Sequence, residues 1–203
     1  MPRARTAARA TRPPFRIGLG CDRHPFDPAR PLVLGGVAIA GAPGLAGHSD
    51  ADVLLHAVCD ALLGALGLPD MGRRFPSSDA RFRGAPSGRF VDEAVAEVAR
   101  AGYVIANVDA VLLAEIPRLA PHLEAIRAGL ARVLRLPADR IGLKAKSGEG
   151  LGWIGREEGM AAQAVALLQE EPPVASPAPR RRPAGRRVTG RLDRRGARRG
   201  GGR

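Results

Sequence analysis

The sequence contains few cysteines and no long apolar run. Its two cysteines, Cys21 and Cys59, form neither a CxxC pair nor a disulfide framework. We therefore expect a reduced compartment, where disulfides are rare. The longest apolar runs, such as residues 53–55 and 111–114, are too short to span a bilayer. No long apolar stretch follows the N-terminal arginines, so we expect no secretory signal, no membrane partner and a cytoplasmic protein.

Three common sequence motifs are also absent, and aromatic residues are few. The chain has no GxGxxG, no Walker loop and no GxSxG, so dinucleotide binding, P-loop chemistry and α/β-hydrolase catalysis have no support. Aromatic residues make up only 3% of the chain. The core must therefore be built mainly from Ala, Val, Leu and Ile.

Positive charge is concentrated at the two ends of the chain, which carries +12 overall. Residues 172–203 contain 11 Arg and one Asp, and residues 1–14 contain four Arg and no acid. The segment between them is mildly acidic, with 17 Lys and Arg against 19 Asp and Glu. Neither end has hydrophobic periodicity, so we expect a disordered leader (1–14), one folded domain (15–170) and a disordered tail (171–203). The tail allows weak, non-specific contact with nucleic acid.

Hydrophobic periodicity predicts alternating strands and helices in the domain. Strands are predicted at 15–21, at 32–39 with a turn at Gly35-Gly36, at 103–114 and at Ile141–Lys146. Helices are predicted from Ser49 or Asp50 to about Leu66, over 89–101, and over 118–134 with Pro121 in the first turn. The alanines of 159–168 fit either a helix or a strand. The fold class is therefore α/β or α+β in a single domain.

A group of histidines and aspartates indicates a metal site. Asp22 and His24 are two residues apart on an extended segment, so their side chains leave the same face. His56 follows on the predicted helix, and a carboxylate with two imidazoles suits a catalytic zinc ion with one open position. Asp52 or Asp60, one helical turn to either side of His56, is expected to hydrogen-bond an imidazole. A loop turn and a partly buried helix histidine fit the same spacing, so spacing alone leaves both interpretations open.

Three other segments contain polar or glycine-rich patterns. The lysines, hydroxyl and glycines of KAKSGEG suit phosphate, and its glutamate suits a magnesium ion, although a solvated turn fits equally well. GWIGR fits a turn beneath a packed indole. The loop PDMGRRFPSSD fits either a polyol site or caps for neighbouring helices. Cys21 alternates away from the Asp22 face, so we expect it to be packed rather than reactive.

In order along the chain, six segments resemble the 2-C-methyl-D-erythritol 2,4-cyclodiphosphate synthase family of the non-mevalonate isoprenoid pathway. They are RIGLGCDRHPF, LVLGGVAI, GLAGHSDADVLLHAVCDALLGALGL, PDMGRRFPSSD, GYVIANVDAVLLAEIPRLAPH and KAKSGEGLGWIGREEGMAAQAVALL. The resemblance implies a homotrimer of α/β sandwich subunits, with sheets facing the trimer axis and active sites between adjacent subunits. It also favours a strand at 159–168.

The resemblance implies a role for each matching residue. Asp22, His24 and His56 are the implied ligands of zinc or another divalent transition metal. Glu149 is the implied ligand of a magnesium or manganese ion. His48 and Ser147 are the implied catalytic residues. The implied substrate contacts are Asp22, Arg23, His24, His48, Ser49, Asp70, Met71, Gly72, Phe75, Pro76, Ser77, Ser78, Asp79, Ala114, Glu115, Ile116, Pro117, Arg118, Leu119, Ala120, Lys146, Ser147, Gly148, Glu149, Trp153 and Arg156. Of these, Trp153 and Arg156, with Cys21, would line a cavity on the threefold axis that admits isoprenoid diphosphates in relatives.

The implied reaction closes a cyclic diphosphate. In 4-diphosphocytidyl-2-C-methyl-D-erythritol 2-phosphate, the 2-phosphate attacks the β-phosphorus and CMP leaves, which makes the enzyme a phosphorus–oxygen lyase. Lys146-Ser147-Gly148 departs from the family's usual run of threonines, but Ser147 keeps a hydroxyl. Two other hypotheses remain open: a zinc phosphohydrolase that releases inorganic phosphate, and a tail that binds nucleic acid without base specificity.

Overall fold

The computed structural model describes residues 12–171 of the chain. Five strands form one mixed sheet in the order β2-β1-β5-β3-β4. The strands are β1 (Phe15–Leu34), β2 (Val37–Leu45), β3 (Tyr103–Leu113), β4 (Ile141–Lys146) and β5 (Gly159–Glu170). The helices are α1 (Val53–Ala65), α2 (Met71–Arg74), α3 (Gly88–Arg100), α4 (Leu123–Leu134) and α5 (Gly152–Gly155). The predicted mixed α/β class is confirmed.

β1 is much longer than the sequence pattern predicts. Instead of ending at Cys21 it continues to Leu34, and Gly35 and Gly36, both with positive φ, turn the chain into β2. Its first half pairs with β5 up to the Pro25–Gly159 pair, and its second half pairs with β2. The polar residues after Cys21 do not end the strand, because ladder pairing uses main-chain groups and leaves side chains free for other contacts.

Close contact between β1 and α1 determines where the helix lies. Gly18 and Gly20 face α1, and a Cβ atom on either would lie about 2 Å from the carbonyl oxygen of Ala61 or Ala57. Only glycine allows this approach. The helix therefore lies flush on the strand, and its first turn is held beside the residues that follow Gly20.

Three helix and strand predictions need correction or completion. α1 begins at Val53 and is capped by Asp52, not by Ser49 or Asp50, because the Asp52 carboxylate accepts the Leu55 N–H. α4 begins at Leu123, and Pro121 lies in a separate 3₁₀ turn before it. Residues 159–168 form a strand, β5, as the family resemblance favours, because both neighbouring strands supply partners along its length.

The two faces of the sheet differ in exposure. The inward residues of β1, β3 and β5 pack against the helices, whereas Phe15, Ile17 and Leu19 on the outer face of β1 are 59–71% exposed. Pro13 and Pro14, in the predicted leader, already accept hydrogen bonds from Tyr103 and Glu170. Residues 1–11 of the predicted leader and residues 172–203 of the tail, with its predicted nucleic-acid contact, lie outside the described residues. Within residues 12–171, no helix is long and apolar enough to cross a membrane.

Candidate active site

The loop that leads into α1 is held by its own side chains. Ser49 Oγ accepts the Ala51 N–H at 3.1 Å, and Asp50 Oδ1 accepts the Asp52 N–H at 3.2 Å. Ala51 is buried with φ of +59°, a left-handed conformation that is unusual for a residue other than glycine. Asp52 also accepts the Gly36 N–H at 2.7 Å. The loop therefore has a defined shape that directs Ser49 toward His56 on α1 and Asp50 toward Ser87 at the start of α3.

Asp22, His24 and His56 meet where β1 passes beneath the first turn of α1. Asp22 Oδ2 lies 2.8 Å from His56 Nδ1 and 2.9 Å from His24 Nε2. The two imidazole nitrogens are 3.1 Å apart. One ligand atom from each residue lies within 4.8 Å of the others, as the sequence pattern predicts. A carboxylate and two imidazoles at this separation fit one divalent transition-metal ion.

The hydrogen-bond partner of His56 is not the one predicted. Asp52 caps α1, and Asp60 accepts the Met71 N–H at 2.7 Å, so neither contacts an imidazole. Instead, His56 Nε2 lies 2.8 Å from Ser87 Oγ and 3.1 Å from Ser49 Oγ. Sequence reasoning missed Ser87, because a serine at the start of a helix is typical of an ordinary N-cap.

Burial and hydrogen bonding shift the pKa values of three carboxyl groups around the cluster. Burial alone would raise the pKa of Asp22, but the adjacent imidazoles of His24 and His56 hold it well below its usual range. Complete burial raises the pKa of Asp52 to about 6, against the lowering effect of hydrogen bonds from Gly36 and Leu55. Burial also raises the pKa of Asp60. The cluster thus favours an anionic Asp22, the form that binds a metal.

A cavity of about 290 Å³ opens beside the cluster. Asp22, His24 and His56 form part of its wall, and the other predicted residues in its lining are His48, Ser49, Met71, Gly72, Phe75 and Ser77. Phe82 and Phe90, which the sequence analysis did not name, also line it, as does Asp60, which was predicted only as a partner for an imidazole. Phe75, Phe82 and Phe90 pack together with ring centroids 4.8–5.6 Å apart. Three of the chain's five phenylalanines thus form one wall of this cavity.

Two aspartates of the loop between Asp70 and Asp79 cap neighbouring helical turns, which is one of the two uses predicted for this loop. Asp70 Oδ1 accepts the Arg73 N–H and caps α2, while Asp79 accepts the Arg81 N–H and pairs with its guanidinium. Hydrogen bonds from Arg81 lower the pKa of Asp79. His48 Nε2 donates to the Asp79 carbonyl oxygen at 3.3 Å. Asp70, Pro76, Ser78 and Asp79 are not in the lining of the cavity.

Eight of the remaining predicted substrate contacts line a second cavity, also of about 290 Å³. Its lining is Ala114, Glu115, Pro117, Arg118, Leu119, Ala120, Ala145, Lys146 and Ser147. Glu115 accepts the Gly148 N–H at 2.9 Å, and Ser147 donates to Glu149 at 2.8 Å. The predicted contacts Ile116, Gly148 and Glu149 are not in the lining. The two cavities share no residue, so one chain does not bring all the predicted contacts together.

Arg23 and Trp153 line a third cavity, of about 360 Å³, with His24, Pro25 and Glu158. Arg156 donates to Glu158 at 2.7 Å and is not in this lining. The prediction that Cys21 is packed is wrong for the single chain, in which Cys21 is exposed on the outer face of β1. Neither Cys21 nor Cys59 forms a disulfide.

The fold and the cluster together define a mixed α/β domain in which a carboxylate and two imidazoles, suited to a metal ion, lie beside a pocket between strand and helix. Residues 15–169 match the YgbB family, so the chain belongs to that family. The 2-C-methyl-D-erythritol 2,4-cyclodiphosphate synthase of Burkholderia thailandensis is 54% identical over 157 residues, which cover 77% of this chain and 97% of that protein. The family resemblance read from the sequence is confirmed.

Two solved structures share this fold. The bifunctional IspDF from Campylobacter jejuni is 40% identical with a TM-score of 0.74, over 77% of this chain and 42% of that chain. A 2C-methyl-D-erythritol-2,4-cyclodiphosphate synthase in its CDP-bound form is 43% identical with a TM-score of 0.70, over 76% of this chain and 100% of that chain. The present chain thus spans the full length of the second protein and less than half of the first.

Proposed function

We propose that this protein converts 4-diphosphocytidyl-2-C-methyl-D-erythritol 2-phosphate into 2-C-methyl-D-erythritol 2,4-cyclodiphosphate and CMP. The observation that carries the proposal is the convergence of Asp22, His24 and His56 beside a cavity, in a chain 54% identical to a named cyclodiphosphate synthase. An oxygen of the 2-phosphate forms a bond to the β-phosphorus. The bond from that phosphorus to the bridging oxygen breaks, and the oxygen leaves with CMP. The enzyme is then a phosphorus–oxygen lyase.

Asp22, His24 and His56 would hold zinc or a similar divalent metal, and Glu149 would hold magnesium or manganese. These ions would supply positive charge that offsets the repulsion between two phosphate groups. The nucleophile is already an anion, so the chain needs no strong general base. Its main task is to align the two phosphates, which is catalysis by positioning.

Each cavity suits a different part of this substrate. The methylerythritol would lie against the Phe75 wall and the loop from Asp70 to Asp79, with His48 and Ser49 near its phosphate. The cytosine and ribose would lie in the second cavity against the segment from Ala114 to Ala120. Ser147 and Lys146, at the rim of that cavity, would contact the diphosphate. The first lining combines phenylalanines with serines, histidines and aspartates, whereas the second includes the cations Arg118 and Lys146.

We further propose that the protein is a homotrimer whose active sites lie between adjacent subunits. Two features of the single chain support this arrangement. The first and second cavities are separate, so a neighbouring subunit is needed to bring the two parts of the site together. The outer face of β1 also exposes Phe15, Ile17 and Leu19 in a row, and exposed apolar patches are typical of protein interfaces. The sheets would then face the trimer axis, near the cavity lined by Trp153.

The experiment that tests this function is a phosphorus NMR assay of the purified protein with the cytidyl diphosphate substrate, zinc and magnesium. We expect CMP to appear together with two coupled ring phosphates. Inorganic phosphate in place of CMP would instead indicate a metal-dependent phosphohydrolase. A substrate left intact by zinc-loaded protein would contradict the proposal and direct attention to the Lys146-Ser147-Gly148 segment.

A further inference from the structure

Ser87 occupies the N-cap position of α3 but does not cap it. Its side chain is fully buried and makes no hydrogen bond to the first turn of the helix. A serine at this position normally stabilises the helix by accepting a main-chain N–H. The Ser87 hydroxyl instead lies between His56 and Asp50. This use of a capping residue points to a role in the active site.

Asp50 can only accept hydrogen bonds from Ser87. The Ser87 N–H donates to Asp50 Oδ2 at 3.1 Å, and the Ser87 hydroxyl donates to Asp50 Oδ1 in a short contact. The Asp52 N–H also donates to Oδ1. An ionised carboxylate has no proton to return. The single hydroxyl proton of Ser87 is therefore committed to Asp50.

This commitment fixes the direction of every other hydrogen bond to Ser87. With its proton used, Ser87 Oγ has only lone pairs to offer His56 Nε2 at 2.8 Å, so Nε2 must carry the proton. Ser49 Oγ, which accepts the Ala51 N–H, donates its own proton to Ser87 at 3.3 Å. Ser87 then makes one donated and two accepted hydrogen bonds, which satisfies the hydroxyl completely.

We propose that the Asp50–Ser87 pair is a positioning device that fixes the tautomer of His56. With the proton on Nε2, the lone pair of Nδ1 is aimed at Asp22 and His24, where a metal ion would bind. Three electron-pair donors then converge on one point, an arrangement that a cation stabilises. This inference rests on the metal site of the proposed function and concerns two residues that lie outside the ligand set.

The tautomer can be read directly in the metal-free protein. Long-range proton–nitrogen NMR spectra at about pH 8 distinguish Nε2–H from Nδ1–H for a neutral imidazole, and comparison with the H56Q variant assigns the signals. We expect Nε2–H for His56 in the unmodified chain. Nδ1–H would overturn the proposal without any need for a bound metal.

Ser87→Ala and Asp50→Asn test the pair itself. We expect Ser87→Ala to weaken zinc binding about 10- to 100-fold, measured by competition with a chromophoric chelator. We expect Asp50→Asn to raise the Nδ1–H population, because an amide nitrogen can donate to Ser87 and turn its proton toward His56. If the Ser87→Ala protein fails to fold, the Asp50→Asn protein is tested in its place, by the His56 tautomer and by the zinc affinity.

Ala94→Gly is the matched structural control. Ala94 is buried in α3 and contributes no polar side chain to the network, so this substitution weakens the helix without touching His56. It should leave both the tautomer and the zinc affinity unchanged. If zinc binds the unmodified chain, and Ser87→Ala changes the affinity no more than Ala94→Gly does, the positioning role is wrong. If the unmodified chain binds no zinc, the proposed function itself fails.

Discussion

The cluster of Asp22, His24 and His56 is more fully organised within a single chain than the loop from Ser147 to Glu149 is. The cluster residues are mostly buried, with His56 only 7% exposed at its side chain, and a network of hydrogen bonds surrounds them. Ser147 and Glu149 are exposed, and the hydrogen bond between them holds neither to the rest of the fold. One half of the proposed site is thus pre-organised within the chain. The other half requires the substrate, a metal or a neighbouring subunit to complete it.

Removing a ligand from the pre-organised half should have the largest effect. His56→Ala leaves two ligands, so we expect the loss of bound zinc and a fall in turnover of about a thousandfold or more. The fold should persist, because alanine suits the helix interior. Zinc content and CMP release measure the two effects. His122, in the 3₁₀ turn before α4, lies outside the three cavities, so His122→Ala is the matched control. Full turnover in a zinc-free His56→Ala protein would refute the role of this residue.

A substitution in the exposed half of the proposed site should lower turnover without changing zinc binding by the pre-organised half. We expect Glu149→Gln to lower turnover about a hundredfold, because the amide binds a divalent cation less well than the carboxylate. Zinc content should not change, since Glu149 lies outside the cluster. Glu157→Gln, another exposed glutamate with positive φ, is the control. Loss of zinc from the Glu149→Gln protein would contradict the independence of the two halves.

A backbone change tests how the pre-organised half is built. Gly20→Ala places a Cβ atom 1.9 Å from the Ala57 carbonyl oxygen, so α1 must move away from β1. We expect zinc binding to weaken at least tenfold and the free energy of unfolding to fall by roughly 1–3 kcal/mol. Titration with zinc and denaturant unfolding measure these effects.

Gly64→Ala is the control for this prediction, because its Cβ atom meets only an ordinary contact, 3.7 Å from the Leu19 carbonyl oxygen. Alanine there should preserve zinc affinity. Equal zinc affinities for Gly20→Ala and Gly64→Ala would show that the close approach does not position the ligands.

The smallest expected effect concerns pH. Because burial raises the pKa of Asp52 from 3.8 in the unfolded chain to about 6, its contribution to stability is fully present below pH 3.8 and is lost as the pH rises through about 6. Asp52→Asn removes this dependence. The unmodified chain should therefore gain stability relative to Asp52→Asn as the pH falls from 7 to 4. Denaturant unfolding at several pH values measures the difference, and a constant difference would contradict the shift.

Local sequence pattern predicts the helices and inner strands well, but not the contacts that depend on distant segments. α3 and β4 lie almost where periodicity places them. The continuation of β1 beyond Cys21 follows from pairing with β5 and β2, which are distant in sequence. The choice of strand over helix for β5 has the same cause. Tertiary pairing there overrides the helical preference of alanine.

The candidate site shows the same division. The two-residue spacing of Asp22 and His24 and the helical position of His56 predict their convergence. The partner of His56 was predicted to be an aspartate one helical turn away, but Asp52 is used as a cap and Asp60 binds the Met71 N–H. Ser87 comes from another helix, and no local spacing links it to His56. Hydrogen-bond partners supplied across the core are therefore the part that sequence reasoning missed.

The flush packing of α1 on Gly18 and Gly20 also limits how the ligands move. Side chains in a folded protein change rotamer on fast timescales, and elements held apart by long side chains follow those changes. Here main-chain atoms set the spacing, and main-chain atoms have no rotamers. Thermal motion elsewhere in the core should therefore reach His56 only when the whole helix is displaced. We therefore expect rotamer changes elsewhere in the core to leave the spacing of Asp22, His24 and His56 nearly unchanged.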